Sequence, residues 1–102
     1  MVSQQANITA MQEHAADAAA MLKKLANPNR LLILCSLVER ELSVGELNDI
    51  IPLSQSALSQ HLAALRKADL VATRRESQTI YYRLNGDDAI RVIAVLQSIY
   101  CP

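Results

Sequence analysis

The fold is decided by the stretch between residues 42 and 67, which reads LSVGELNDIIPLSQSALSQHLAALRK. Ser43 and Glu46 stand at the spacing of a capping box, in which each side chain binds a backbone N–H at a helix start. This pattern predicts a short helix over residues 44–51. Pro52 ends it, because proline has no N–H to donate and clashes with the preceding turn.

A second helix follows at once. Ser54 is a favourable N-cap and predicts a helix over residues 55–68, so that two short helices joined by a tight turn form a helix-turn-helix. Helical spacing separates an apolar row of leucines from a polar face that has no acidic side chain. Gln, Ser, Arg and Lys are suited to base edges and phosphates, so we predict that this helix reads the major groove of double-stranded operator DNA. The predicted DNA-binding residues of this helix are Ser54, Gln55, Ser56, Ser59, Gln60, His61, Arg66 and Lys67.

His61 needs a separate interpretation, because it lies on the flank of the leucine row. We interpret it as a packed histidine that bonds backbone or phosphate and not as a catalyst. A solvated Ser- and Gln-rich helix is the alternative for the whole polar face.

A β-hairpin is predicted after the second helix. Residues 70–75 and 79–84 are rich in strand formers and flank Glu76-Ser77-Gln78, as in the wing of a winged helix-turn-helix. We predict that Arg74 and Arg75 contact phosphate or the minor groove beside the recognition site. A charged edge strand that discourages aggregation is the alternative.

Two helices are predicted before this unit. We expect residues 1–8 to be disordered. An apolar stripe at helical spacing predicts a helix over residues 9–26 and consists of Met11, Ala15, Ala18, Leu22 and Leu25. Asn27 before Pro28 is an N-cap followed by a first-turn proline, which predicts a helix over about residues 28–40. Its predicted inward face consists of Leu31, Leu34, Cys35 and Val38.

The last helix is predicted over residues 87–100, where Asp87 and Asp88 suit the helix dipole. Its apolar side chains lie nearly all round, so it needs a second cover besides its own core. We therefore expect a homodimer that pairs through the first and last helices. The predicted fold is mainly α with a β-hairpin wing, a winged helix-turn-helix of order α-α-α-α-β-β-α, in a single domain over residues 1–102.

Composition limits the class of protein. The chain has 102 residues, half of them hydrophobic, with no Phe or Trp, so a core of aliphatic side chains in one domain is expected. The net charge is zero, but residues 54–83 hold five basic side chains against two acidic ones. This segregation predicts a local basic surface on a neutral molecule, which is what phosphates respond to.

The compartment is expected to be the cytoplasm. Residues 1–10 show no basic cluster followed by an apolar run, and the longest strongly apolar stretch, residues 31–35, is too short for a bilayer. No membrane partner is therefore predicted. In a reducing compartment the two cysteines are not expected to form a permanent structural disulfide.

Several motifs, taken in order, resemble the ArsR/SmtB family of bacterial repressors. They are LANPNRLLIL (25–34), ELSVGEL (41–47), LSQSALSQHL (53–62) and the strand YYRL (81–84). The resemblance covers about residues 15–101. It implies a homodimeric winged helix-turn-helix that binds an operator and releases it when an inducer arrives.

The chain departs from the family at its metal sites. Metal-sensing members carry cysteines in the segment that here holds Ser43 and Gly45, and another family site uses Asp and His on the last helix, which has no His here. Neither a hydroxyl nor a glycine supplies the soft or imidazole ligand required, so no metal site is predicted.

The remaining sensor candidates are Cys35 and Cys101. The pair resembles that of the HlyU, BigR and SqrR branch of the family, which implies a thiol switch that responds to reactive sulfur or an oxidant through a reversible link between the two cysteines. Such a link needs Cα atoms about 4.4–6.8 Å apart, which the sequence does not give. The alternatives are a buried, inert Cys35 and a merely exposed Cys101.

The sequence also bears on other classes of function. Cys35 with His61 or His14 could imitate a thiol nucleophile and base, but no oxyanion loop accompanies them, so an enzyme is not predicted. A winged helix that binds proteins and not DNA stays open. Cys101-Pro102 is similar to cysteine-proline haem motifs, so structural cysteines in a regulator that responds to haem or another ligand are an alternative; no cofactor is predicted.

Overall fold

The structure is a computed structural model that describes the backbone of residues 4–101 and the side chains of residues 7–101. This part of the chain is mainly helical, and the predicted winged helix-turn-helix order is confirmed with one short strand added. The elements are α1 (Gln4–Leu25), α2 (Pro28–Ser36), β1 (Leu42–Ser43), α3 (Val44–Ile50), α4 (Gln55–Lys67), β2 (Val71–Glu76), β3 (Thr79–Leu84) and α5 (Asp87–Tyr100).

Helix α1 is longer than predicted. It begins at Gln4 and not at residue 9, so it includes residues 4–8, for which disorder was expected, while residues 1–3 lie outside the described part. The reason is local: no Gly or Pro occurs before residue 9, and Gln and Ala favour the helix. Leu25 of the predicted stripe is buried, whereas Met11 and Leu22 are more than half exposed.

Helix α2 begins as predicted, but its buried face is displaced. The side-chain oxygen of Asn27 accepts hydrogen bonds from two following N–H groups at 2.9 and 3.2 Å, and Pro28 occupies the first turn. The helix ends at Ser36, well before residue 40. Because α2 packs against both α4 and α5, the covered arc is centred on Ile33, Leu34 and Leu37, while Leu31, Cys35 and Val38 lie at its margin.

The capping box that opens α3 is confirmed. Ser43 Oγ accepts from the Glu46 N–H at 3.1 Å, and the Glu46 carboxylate accepts from the Ser43 N–H at 2.9 Å. The second bond holds the pKa of the Glu46 carboxyl below its ordinary value. At the start of α4, Ser54 Oγ accepts from the Ala57 N–H at 3.1 Å, as the N-cap prediction requires. The helix-turn-helix therefore begins and ends within a residue of its predicted bounds.

The wing belongs to a three-stranded antiparallel sheet, in the order β1-β3-β2, and not to a two-stranded hairpin. Leu42 and Ser43 form β1 and lie opposite Tyr82 and Tyr81 of β3. Two residues are too few to show an alternating pattern, which is why the sequence analysis missed this strand. Strand β2 runs on to Glu76, so that the turn shrinks to residues 77–78.

The core is one cluster of aliphatic side chains from all five helices and the sheet. Helix α5 contributes Ala89 and Ile93, while Val95, Ile99 and Tyr100 on its other sides are exposed in the single chain. No helix within residues 4–101 is long and apolar enough to cross a membrane. The buried set is Leu25, Ile33, Leu34, Leu37, Leu42, Leu47, Ile51, Leu58, Leu62, Leu65, Leu70, Val71, Leu84, Ala89 and Ile93.

Candidate nucleic-acid interface and cysteine pair

Helix α4 separates a fully buried row from an exposed polar face. Leu58, Leu62 and Leu65 have no accessible surface, so the backbone of the helix is fixed against the core. No acidic side chain occurs within α4, so its outer face offers neutral and basic groups to a ligand but no carboxylate. The predicted contact residues that are exposed on or beside this helix are Ser54, Gln55, Ser56, Ser59, Gln60, Arg66 and Lys67.

The turn before α4 is held by a side chain that the sequence analysis missed. Asn48 Nδ2 donates to the carbonyl of Leu53 at 2.8 Å, and the Leu53 N–H donates to the carbonyl of Ile51 at 2.8 Å. These bonds fix the angle between α3 and α4. An Asn in a short amphipathic helix is ordinarily read as a solvated residue, and its partner lies beyond the helix end.

Ser54 has a structural role at the same place. Its Oγ already accepts the N–H of Ala57 and lies 3.5 Å from Ser56 Oγ. A hydroxyl keeps one hydrogen to donate while it accepts. Ser54 is therefore first a cap, with donor capacity left for a ligand.

His61 is half-buried and has a protein partner. Its Nδ1 accepts a hydrogen bond from Arg30 Nε at 3.3 Å. Arg30 also reaches the carbonyl of Lys24 through Nη1 at 3.4 Å. Arg30 carries no local signal in the sequence, because its partner on α4 lies 31 positions further along the chain.

Arg74 of the wing is engaged within the protein. Its Nε donates to Glu41 Oε1 at 3.0 Å, and its Nη1 pairs with Glu76 Oε2 at 2.7 Å. The guanidinium also lies over the Tyr81 ring, 4.6 Å from the centroid, at cation–π distance. The hydrogen bond from Arg74 is the main reason that the pKa of Glu41 lies below its ordinary value, and the two carboxylates raise the pKa of Arg74.

Arg75 differs from its neighbour. It is exposed, and within residues 7–101 its side chain takes part in none of the ion pairs or hydrogen bonds. The charge of Arg74 is compensated by two acids, whereas that of Arg75 is open to solvent. The two arginines, for which the sequence predicted the same role, therefore differ in whether their charge is compensated within the protein. Arg66, Lys67 and Arg83 are also exposed.

Both cysteines are free thiols beside one small cavity. Cys35 is half-buried on α2, and Cys101 is exposed just after α5. Burial raises the pKa of the Cys35 thiol above its ordinary value of 9.0, and the nearby charge of Cys101 raises it further. The cavity has a volume of about 160 Å³ and is almost wholly apolar; it is lined by Leu31, Cys35, Leu96, Gln97, Tyr100 and Cys101.

The described residues contain no group of three His, Cys, Asp or Glu side chains arranged to hold a metal ion. Ser43, one of the two positions at which the resemblance implied cysteines in metal-sensing members, caps α3. Pro102, the second residue of the haem-like dipeptide, lies outside the described part of the chain.

Comparison with known proteins finds relatives about 50% identical to this chain, in both sequence and solved structure. The family model described as "Bacterial regulatory protein, arsR family" matches residues 27–73. The transcriptional activator HlyU of Vibrio cholerae is 50% identical over 95 residues, covering 93% of this chain and 88% of the relative. The biofilm growth-associated repressor of Agrobacterium fabrum is 46% identical over 94 residues, covering 92% and 80%. The crystal structure of the transcriptional regulator HlyU from Vibrio vulnificus superimposes with a TM-score of 0.86 at 52% identity, over 93% of this chain and 99% of that one.

Proposed function

Because this chain belongs to the arsR family of bacterial regulatory proteins, we propose that it is a transcription regulator that binds double-stranded operator DNA as a homodimer. The relatives are transcription regulators, a class distinct from enzymes. The observation that carries the proposal is α4, whose polar face lacks acids and rests on a row of leucines with no accessible surface.

The outer face of α4 enters the major groove. Gln55 and Gln60 have the paired donor and acceptor that recognise an adenine edge, and Ser56 and Ser59 reach bases or phosphates at closer range. Arg66 and Lys67, at the far end of the helix, bind phosphates and set the register.

In the wing, Arg75 makes the phosphate or minor-groove contact. Arg74 was predicted to share this role, but its guanidinium already binds Glu41 and Glu76. Its Nε and both terminal nitrogens each already donate to a carboxylate, so we assign Arg74 to holding the wing in place and Arg75 to the DNA contact.

The homodimer forms through α1 and α5. Ile8, Met11 and Leu22 on α1 and Val95 and Ile99 on α5 are all more than half exposed. Exposed apolar side chains on two helices are what an obligate homodimer covers. The two copies of α4 then lie about 34 Å apart and enter successive major grooves.

The test of the DNA proposal starts from a random duplex pool, from which the wild-type protein selects its own site. We expect binding that weakens steeply as salt rises, because basic side chains displace counterions from phosphates. Ile99→Asp should yield a monomer by sedimentation and lose most of this affinity, with Leu32→Asp on α2 as the control. Failure to enrich any sequence would overturn the proposal in favour of a protein-binding winged helix.

We further propose that Cys35 and Cys101 form the sensor. Both thiols border the same cavity, and Cys101 is exposed to reagents. With peroxide as oxidant, the Cys101 thiolate attacks one oxygen and becomes a sulfenic acid with loss of hydroxide; the Cys35 thiol then displaces water to form a disulfide. With a persulfide donor, each thiol accepts one sulfur and releases the donor thiol, and the two protein persulfides condense to a trisulfide with loss of hydrogen sulfide.

Either link ties α2 to the end of α5, which is also part of the proposed dimer seam. The spacing of the two α4 helices then changes, and operator affinity falls. Mass spectrometry of the protein after peroxide should show loss of two hydrogens and a peptide joining the two cysteines. Cys35→Ser and Cys101→Ser should each abolish the response of operator binding; an unchanged response in both would exclude the switch.

A further inference from the structure

Arg30 lies outside every surface that the proposed function uses, yet its guanidinium connects three helices. It stands on α2, its Nε donates to His61 Nδ1 on α4 at 3.3 Å, and its Nη1 donates to the carbonyl of Lys24 on α1 at 3.4 Å. This is a direct side-chain link between the recognition helix and the helices behind it.

The bond to His61 determines which nitrogen of the neutral ring carries the proton. A guanidinium can only donate hydrogen bonds, so Nδ1 must offer its lone pair. The neutral imidazole then carries its proton on Nε2. A protonated ring has hydrogens on both nitrogens and cannot accept from Arg30. The contact therefore selects one tautomer and one ring orientation.

The other nitrogen of the ring, Nε2, keeps some accessible surface. Within residues 7–101, every fully buried side-chain nitrogen or oxygen atom has a hydrogen-bond partner, and Nε2 makes no hydrogen bond within the protein, so Nε2 is not fully buried. His61 is half-buried, between the exposed Gln60 and the buried Leu62. It therefore lies at the border of the reading face, by which we mean the outer face of α4 that carries Gln55, Ser56, Ser59 and Gln60.

We propose that Arg30 is a positioning residue that holds His61 as the Nε2–H tautomer, so that α4 presents a neutral, directed N–H donor to a phosphate oxygen of the DNA backbone. The proposal rests on the proposed DNA-binding function. Neutral N–H donors fix register on a duplex without adding charge. The contact should thus strengthen binding and leave its salt dependence unchanged, unlike that of a lysine or arginine.

The first experiment needs no DNA. Side-chain ¹⁵N NMR of the free protein at about pH 8, above the usual histidine range, distinguishes the two tautomers. We expect His61 to show Nε2–H alone, and exposed His14 on α1 to show an average, which makes it the control within the same spectrum. Arg30→Met, which is close in shape but has no donor, should bring His61 to the average as well. An averaged His61 in the wild type, or an unchanged one in Arg30→Met, overturns the proposal.

The second experiment uses the duplex selected by the wild type. Arg30→Met should weaken binding by about fivefold, in the range of one neutral hydrogen bond, with the slope against salt unchanged. Arg30→Gln places an amide N–H where Arg30 Nε stands, so it should restore both the tautomer and the affinity. His61→Ala should match Arg30→Met, and the double variant should lose no more than either.

The outcomes separate the two levels of proposal. A salt slope reduced by about 0.9 in Arg30→Met means that Arg30 itself binds phosphate, which overturns the positioning role. Failure of the wild type to bind any duplex overturns the DNA function and the phosphate contact with it, whereas the NMR result still decides whether Arg30 sets the tautomer.

Discussion

In α4 the functional side chains stand on leucines with no accessible surface, whereas the cavity beside Cys35 and Cys101 is bordered by partly exposed groups and by Tyr100, which is 77% exposed. The outer face of α4, which we propose reads DNA, is therefore held in place by the folded core before any ligand binds. The cysteine cavity lies at the margin of the core, where the chain ends its last helix.

This difference suits the two proposed tasks, DNA reading by α4 and chemical sensing by the cysteines. A surface that reads bases must keep its side chains in place, because each contact depends on distance and angle. A surface that reacts must admit a reagent and tolerate a new covalent bond. Substitutions in the two regions should therefore change different quantities. Those in α4 should change the free energy of unfolding and the DNA affinity, and those at the cysteine cavity should change the reactivity of the thiols.

The largest effect is expected on stability, from substitution in the buried leucine row of α4. Leu62→Ala should lower the free energy of unfolding by about 2–5 kcal/mol, since it removes a fully buried side chain and leaves a cavity. Leu32→Ala, at a position 47% exposed, should change it by less than about 1 kcal/mol. Urea denaturation of both variants measures the contrast. Equal losses would contradict the view that α4 stands on the rigid part of the core.

The next effect is on DNA affinity. Gln60→Ala should weaken binding to the selected duplex by about 1–3 kcal/mol and leave stability and the salt slope unchanged, because Gln60 is exposed and uncharged. Lys67→Gln is the charged counterpart and should reduce the slope by about 0.9. Fluorescence anisotropy at several salt concentrations gives both numbers. A changed slope in Gln60→Ala would count against base reading.

The two cysteines beside the cavity should differ in their rates of alkylation. Cys101 should react with iodoacetamide about tenfold faster than Cys35 at neutral pH, because Cys101 is exposed while burial and the charge of Cys101 raise the pKa of Cys35 above 9.0. Only the thiolate is alkylated, so labelling of Cys35 should accelerate as the pH rises through and beyond 9.0. Peptide mass spectrometry over time measures the extent of alkylation at both cysteines. Faster labelling of Cys35 would contradict the proposal that Cys101 is the thiol that reacts first with the oxidant.

A smaller effect should separate the wing arginines. Arg75→Gln should reduce the salt slope by about 0.9 at unchanged stability, as expected for one lost phosphate contact. Arg74→Gln should instead weaken binding with the slope unchanged, because Arg74 anchors the wing to Glu41. The same anisotropy series tests the pair. A slope reduced by about 0.9 in Arg74→Gln would restore Arg74 as a DNA contact.

The smallest effect should come from Glu41. Its pKa is lowered in the folded state, chiefly by the hydrogen bond from Arg74, so its contribution to stability is present above the ordinary value of 4.5 and is lost as the pH falls below it. The difference in unfolding free energy between wild type and Glu41→Gln should therefore shrink on acidification. Glu39→Gln serves as the control, and a difference that grows in acid would contradict the ion pair.

The sequence was sufficient wherever the deciding partner is local. Ser43 with Glu46, Asn27 with Pro28, and Ser54 at the start of α4 all act within one helical turn, and each cap is present as predicted. The buried row of α4 also follows from spacing alone.

What could not be predicted depends on distant partners. β1 exists only because Leu42 meets Tyr82 of β3, and Arg74 is engaged only because Glu41 lies 33 positions earlier in the chain. The link from Arg30 to His61 spans 31 positions. No local pattern encodes such pairs, and a residue read singly as a DNA contact can have a partner inside the protein.

Ser43 belongs to two elements at once, as the strand residue opposite Tyr81 and as the cap of α3. Ser43 thus joins the wing sheet to α3, and the bond from Asn48 to the Leu53 carbonyl holds the turn between α3 and α4, so the wing and α4 keep a fixed spacing. In the proposed complex with an operator, the distance between the bases read by α4 and the backbone touched by the wing is therefore constant within a half-site. The spacer between half-sites is the length that a change at the proposed dimer interface would alter.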